Sequence, residues 1–67
     1  MKLSLKAIRA TKNLTLKNAS ILIGISIDTL SKYERGITFP DVPIIQKIEK
    51  AYGVKYDDII FLTNDYD

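Results

Sequence analysis

Residues 15–36 of this 67-residue chain read TLKNASILIGISIDTLSKYERG. Thr15 opens the stretch as a predicted helix N-cap, because its hydroxyl can accept a hydrogen bond from an unpaired N–H of the first turn. Gly24 is predicted to adopt positive φ, which ends the first helix and turns the chain. Ser26 offers a second N-cap, and Gly36 marks the end of the second helix. The stretch therefore has the pattern of two short helices joined by a tight turn.

Apolar and small residues in this stretch recur at the spacing of two inward helix faces. The predicted inward side chains are Ala19, Ser20 and Ile23 on the first helix, Ile25 at the turn, and Leu30 and Tyr33 on the second helix. Asp28, in the first turn of the second helix, suits the positive end of the helix dipole. A helix, a glycine-containing turn and a second capped helix form a helix-turn-helix, with the second helix presented outward.

The composition predicts one small domain, residues 1–67, without a chemical staple. The chain has no Cys and no His, so a disulfide, a zinc-finger site and His- or Cys-based catalysis are all excluded. No cofactor or metal motif is present. Asp57 and Asp58 are adjacent and do not converge on one helix face, so they are interpreted as favourable first-turn residues and not as a catalytic pair. We expect a non-enzymatic protein.

No targeting or membrane segment is predicted. No apolar run approaches the roughly 18 residues of a membrane span. The first 13 residues, MKLSLKAIRATKN, carry regularly spaced charges and lack the apolar core of a signal peptide. We therefore expect a soluble, cytoplasmic protein.

Charge is divided unevenly along the chain. Residues 1–36 carry seven Lys and Arg against two acids, a net charge of +5, whereas residues 37–67 carry three Lys against six acids, a net charge of −3. A basic half of this kind indicates either a surface that binds a polyanion or a solvated surface with chance asymmetry.

Further helices are predicted on both sides of the central stretch. A first helix covers residues 4–12, with Asn13 as a left-handed cap. A fourth helix runs over residues 42–52, capped by Asp41 and with Pro43 in its first turn. A short fifth helix is predicted over residues 56–62, followed by a polar, frayed tail at 63–67. No stretch shows the alternation of a β-strand, so no strand is predicted.

With these helices placed, the chain resembles the Cro/repressor-type helix-turn-helix family, also called the XRE family. The residues that carry the resemblance are Leu14-Thr15, Gly24-Ile25-Ser26, the run Thr29 to Gly36, Pro40, Ala51-Tyr52-Gly53-Val54 and Asp57-Asp58-Ile59. The resemblance implies an all-α, compact five-helix, lambda-repressor-like DNA-binding domain. It also implies a phage or mobile-element transcriptional regulator that places its third helix in the major groove of a double-stranded operator, as a homodimer.

The resemblance also implies the residues that contact DNA. Those expected at base edges are Ile27, Asp28, Ser31 and Lys32, and those expected at phosphates are Thr15, Leu16, Lys17, Ser26 and Arg35, with Lys12 more peripheral. Lys32 can donate to guanine, Asp28 can accept from the cytosine amino group, and Ile27 can contact a thymine methyl. Arg9 and Glu34 match positions at which family members often form a structural ion pair.

Several departures from the family pattern leave a second function open. Apolar residues stand where the family tends to be polar, at Leu16, Ile21, Leu22, Ile27, Ile37 and Phe39, and either form an exposed patch or fold into the core. The residues expected to form a dimer interface are Ile37, Phe39, Ile60, Phe61 and Leu62, although Phe61 can equally close the core. The alternative to DNA binding is a protein-interaction module on the same fold, such as an antirepressor or an antitoxin-like protein.

Overall fold

The computed structural model describes residues 2–62, so the predicted polar tail at 63–67 lies outside the described residues. Within residues 2–62 the chain forms four α-helices: α1 (Leu5–Thr11), α2 (Leu16–Ile23), α3 (Ile27–Arg35) and α4 (Val42–Tyr52). A two-residue strand, β1 (Leu3–Ser4), precedes α1. A 3₁₀ turn (Tyr56–Asp58) follows α4 and leads into a second short strand, β2 (Ile59–Ile60).

Each helix begins at a side chain that caps it. Ser4, Thr15, Ser26 and Asp41 accept hydrogen bonds from the backbone N–H three residues ahead, at 3.2, 3.0, 3.1 and 3.1 Å respectively. The predicted caps at Thr15, Ser26 and Asp41 are confirmed. The first helix was predicted to include Ser4, but Ser4 is its N-cap and α1 is one residue shorter at each end.

Left-handed residues follow the helices, as predicted. Asn13 has φ 56° beyond α1, and the glycines after α2, α3 and α4 have φ of 90°, 75° and 67°. At Gly24 a Cβ would meet no atom within 4 Å, so the backbone angle and not a lack of space favours glycine there. The Gly24 N–H donates to the carbonyl of Ser20 at 2.8 Å, which closes α2 and sets the turn into α3.

The predicted fifth helix is wrong. Residues 56–58 form a single 3₁₀ turn, in which the Asp58 N–H donates to the Lys55 carbonyl at 2.8 Å. The chain then extends, and β2 pairs in parallel with β1 in the register Leu3 to Ile59 and Ser4 to Ile60. No strand was predicted from the sequence, and that prediction is therefore also wrong. The two β-branched isoleucines favour this extended backbone once β1 lies beside them.

The core gathers one face from every helix together with β2. Its buried apolar residues are Leu5, Ile8, Ala19, Ile23, Leu30, Ile48, Tyr52 and Ile59. Tyr52 is 1% exposed, and its hydroxyl has no hydrogen-bond partner within residues 2–62. Burial, assisted by the nearby Glu34 carboxylate, raises the pKa of the Tyr52 hydroxyl to about 12.

A buried ion pair joins α1 to α3. The Arg9 guanidinium donates through Nε and Nη2 to the two carboxylate oxygens of Glu34, at 2.7 and 3.1 Å. Its Nη1 also donates to the carbonyl of Leu14 at 2.9 Å. The side chains of Arg9 and Glu34 are 14% and 6% exposed, and the hydrogen bond to Glu34 is the main cause that raises the pKa of Arg9. The predicted pair is confirmed, and it fixes the carboxyl-terminal half of α3 against α1 and the start of α2.

No helix among residues 2–62 is long and apolar enough to cross a membrane.

Candidate nucleic-acid interface

One face of α3 packs against the rest of the domain, and the opposite face is exposed to solvent. Leu30 is fully buried, Glu34 is held by Arg9, and Tyr33 packs against the core. Asp28 and Lys32 lie two residues before and after Leu30, and each is therefore about 160° around the helix from it. The outward direction of α3 consequently carries an acid and a base one turn apart.

The side chains of Asp28 and Lys32 pair with each other. The Lys32 Nζ lies 3.2 Å from the Asp28 Oδ2, and the two side chains are 44% and 74% exposed respectively. Pairs at this spacing are favourable on a helix surface, and this one places the carboxylate at the amino-terminal side of the ammonium. The spacing of an acid four residues before a base was the signal that would have predicted this contact.

The remaining residues predicted to contact bases or phosphates on α3 flank this pair. Ile27, the first residue of α3, is 45% exposed, and Ser31 is half-buried. Arg35 is exposed, and its Nε donates to the Ser31 carbonyl at 3.4 Å, so the guanidinium lies back along the helix. The structure thus brings Ile27, Asp28, Ser31, Lys32 and Arg35 onto one continuous side of a single helix.

The two predicted hydroxyl contacts are already used within the helix starts. The Thr15 hydroxyl accepts from the N–H of Asn18, and the Ser26 hydroxyl accepts from the N–H of Thr29 while donating to its hydroxyl at 2.7 Å. Thr15 and Ser26 therefore cap the two helix starts, and the first-turn N–H groups that lack a partner within the helix are suited to a phosphate.

Two predicted phosphate contacts at the start of α2 differ in exposure. Lys17 is exposed, and its carbonyl accepts from the hydroxyl of the buried Ser20 at 2.8 Å. The Leu16 side chain packs against the core, so its contribution to phosphate binding could come only from its backbone N–H. The buried hydroxyl of Ser20 thereby has a hydrogen-bond partner within its own helix.

Five of the six apolar residues that the sequence left in question are exposed. Ile21 and Leu22 on α2 are 67% and 57% exposed, and Ile27, Ile37 and Phe39 are also exposed, whereas Leu16 is partly buried and packs against the core. Ile21 and Leu22 adjoin the turn of the helix-turn-helix unit and give it an apolar outer surface.

A second apolar surface surrounds the start of α4. An open groove of about 590 Å³ is lined by residues that include Phe39, Pro40, Val42 and Tyr56. Two of these lining residues contact Phe61, whose ring centroid lies 4.7 Å from that of Phe39 and 5.6 Å from that of Tyr56.

The five predicted dimer residues divide by exposure. Phe61 packs against the core, whereas Ile37, Phe39, Ile60 and Leu62 are about half exposed. These four are therefore the available members of that set.

Comparisons with known proteins agree with this architecture. A family model described as helix-turn-helix matches residues 5–59. An uncharacterized HTH-type transcriptional regulator of Methanocaldococcus jannaschii is 37% identical over 65 residues, which cover 97% of this chain and 98% of that protein. The antitoxin PezA of Streptococcus pneumoniae is 33% identical over 57 residues, which cover 85% of this chain and 36% of the antitoxin. The match over residues 5–59 includes all four helices and the turn between α2 and α3, and the chain belongs to the helix-turn-helix family.

Proposed function

We propose that this protein is a sequence-specific DNA-binding transcriptional regulator that uses α3 as its recognition helix. The observation that carries the proposal is the arrangement of α3, which is fixed by Leu30 and the Arg9–Glu34 pair and presents its polar side outward. A rigid, outward helix of this kind fits the major groove, in which base edges differ in their donors and acceptors. The relationship to an HTH-type transcriptional regulator over nearly the full length of both chains supports the same function.

Bases and phosphates are contacted by different parts of this surface. Ile27, Asp28, Ser31 and Lys32 contact base edges from the first two turns of α3. Thr15, Leu16, Lys17, Ser26 and Arg35 lie at the helix starts and the end of α3 and contact phosphates through N–H groups and cations. The net charge of +5 on residues 1–36 attracts the duplex toward this side of the domain.

The operator is bound by a homodimer. A single α3 reads only a few base pairs, and two copies related by two-fold symmetry double the contacts on a palindromic site. The contact between copies uses the exposed apolar side chains of Ile37, Phe39, Ile60 and Leu62. Ile60→Lys should abolish dimerisation in analytical ultracentrifugation with the operator present while leaving the monomer folded.

Selection of binding sites from random duplex DNA tests the function directly. We expect a two-fold symmetric site with half-sites about one helical turn apart. Lys32→Ala should then cost ~1–3 kcal/mol on that site and relax the preference at one base position. Lys17→Ala should weaken binding to all sequences and lower the salt slope by ~1. Lys47→Ala, which removes an exposed cation from α4, is the matched control and should change neither quantity.

A protein-binding module is the second candidate function, and the exposed apolar residues favour it. Ile21 and Leu22 on α2 and the groove beside Phe39 and Val42 are surfaces of the kind that proteins bury against a partner. The similarity to part of an antitoxin is consistent with this candidate. If the selection yields no preferred sequence and binding is weak and strongly salt-dependent, the protein-binding function replaces the DNA-reading one.

A further inference from the structure

The carboxylate of Asp28 has no role in capping α3. Ser26 supplies the cap, because its hydroxyl accepts from the Thr29 N–H at 3.1 Å. Asp28 is instead 74% exposed and reaches along the helix to the ammonium of Lys32. Among residues 16–35 it is the one exposed acidic side chain, since Glu34 is buried against Arg9.

An acid at this place opposes binding to DNA in general. Phosphates repel a carboxylate, and Asp28 also neutralises the cation nearest to it on the outward side of α3. The pair therefore contributes no net positive charge to the attraction of a nonspecific duplex. Lys17 and Arg35 still contribute theirs. Only a partner that supplies both a donor for the carboxylate and an acceptor for the ammonium compensates for separating the two side chains.

A G·C base pair supplies both groups in the major groove. The cytosine N4 amino group donates, and the guanine O6 and N7 atoms of the same pair accept. The two groups of the helix lie 3.2 Å apart and so present an acceptor and a donor side by side. An A·T pair offers a different order of groups and a methyl at thymine C5.

We propose that Asp28 is a specificity-determining residue. On nonspecific DNA its carboxylate holds the ammonium of Lys32. At a G·C pair the carboxylate accepts a hydrogen bond from the cytosine amino group, and Lys32 is released to donate to the guanine. This inference rests on the proposed DNA-reading function and adds the base pair that α3 selects. On this inference, Asp28 lowers the affinity for random DNA and raises the discrimination between the selected site and random DNA. A cation that contacts phosphates has the opposite effect on both.

The variant Asp28→Asn tests the proposal, because it removes the charge and keeps the size. We expect it to bind a random duplex more tightly than the wild type, with a salt slope steeper by up to ~0.9. The ratio of affinities for the selected and random duplexes should fall by about 5- to 150-fold, which corresponds to the ~1–3 kcal/mol of one base contact. A repeated selection with the variant should lose the G·C preference at one position of each half-site.

A matched control separates this effect from net charge. Asp41→Asn makes the same change at the start of α4 and keeps the cap, since Asn and Asp cap about equally. We expect the affinity ratio of Asp41→Asn to equal that of the wild type. Replacing the guanine of the selected pair by 7-deazaguanine should weaken the wild type and leave Lys32→Met unaffected.

Two results would overturn the inference in distinguishable ways. If the wild type selects a site and Asp28→Asn keeps its affinity ratio, Asp28 only stabilises the helix start, and the proposed function stands without this inference. If the wild type selects no site, the proposed function and the inference fail together. Urea unfolding of Asp28→Asn checks that the domain is intact, and an exposed pair at this spacing should change the folding equilibrium by only about two-fold.

Discussion

Replacing Arg9 by Met deletes the guanidinium that joins α1 to α3 and keeps most of the aliphatic stem. The change removes both hydrogen bonds to Glu34 and the one to the Leu14 carbonyl, and it leaves a carboxylate that is 6% exposed without its partner. Removing one member of a buried pair costs ~3–5 kcal/mol. Because Arg9 retains 14% exposure, water can reach the site, and we expect a loss of about 3 kcal/mol.

That loss is large for a domain of this size. A single core below about 70 residues rarely supplies more than ~3–5 kcal/mol, so Arg9→Met should be close to its unfolding midpoint without denaturant. Glu34→Gln is the milder variant, since its amide still offers one acceptor, and it should cost about 1–3 kcal/mol. Urea titration followed by far-ultraviolet circular dichroism measures the free energy of unfolding, with the slope m required to stay constant.

The double variant Arg9→Met/Glu34→Leu isolates the pair from its parts. It leaves no unpaired charge and should recover most of the stability, because well-packed apolar replacements of buried pairs are often neutral. Lys6→Met, which removes an exposed cation from the same helix, is the control and should stay within about 0.5 kcal/mol of the wild type. A loss below 1 kcal/mol for Arg9→Met, or a double variant as unstable as the sum of its parts, would refute the reasoning.

Three further predictions concern the core, the turn and a cap. Tyr52 has a folded-state pKa of about 12, above the ordinary value of about 10, so its stabilising effect should be complete below pH 10 and lost as the pH rises toward 12, by at most roughly 2–3 kcal/mol. In urea titrations at increasing pH, Tyr52→Phe should remove this part of the decline in the free energy of unfolding. At pH 7 the variant should lose little stability, because the hydroxyl has no hydrogen-bond partner within residues 2–62. Gly24→Ala should lower the free energy of unfolding by ~1–2 kcal/mol from its φ of 90° alone, and an unchanged thermal midpoint would contradict this. Asp41→Ala should lose ~1 kcal/mol with the cap of α4, whereas Asp41→Asn should retain it in the same thermal scans.

The functional surface was predictable from the sequence to an uneven degree. The family resemblance pointed to α3 as the expected DNA-reading helix, and the structure puts the residues proposed for that role, Asp28, Ser31 and Lys32, on one side of it. The sequence left open whether the unusual apolar residues fold into the core. The structure packs the partly buried Leu16 against the core and exposes Ile21, because Leu16 lies on the same side of α2 as the buried Ala19 and Ile23 whereas Ile21 lies on the opposite side.

What the sequence by itself determined is local. The capped starts and glycine ends of α2, α3 and α4 follow from residues within four positions of each other, so a capping hydroxyl or carboxylate and a left-handed glycine were enough to place them.

What only the tertiary structure decided involves segments distant along the chain. Residues 59–62 form a continuous apolar run without alternation, and periodicity alone cannot assign so short a run to a helix or to a strand. The strand forms because β1, at the other end of the chain, offers its backbone N–H and carbonyl groups to Ile59 and Ile60. Such a hydrogen-bonded partner comes close only once the intervening helices have packed, with α1 against α3 and α2 against α3 and α4. No local pattern in the sequence could therefore predict it.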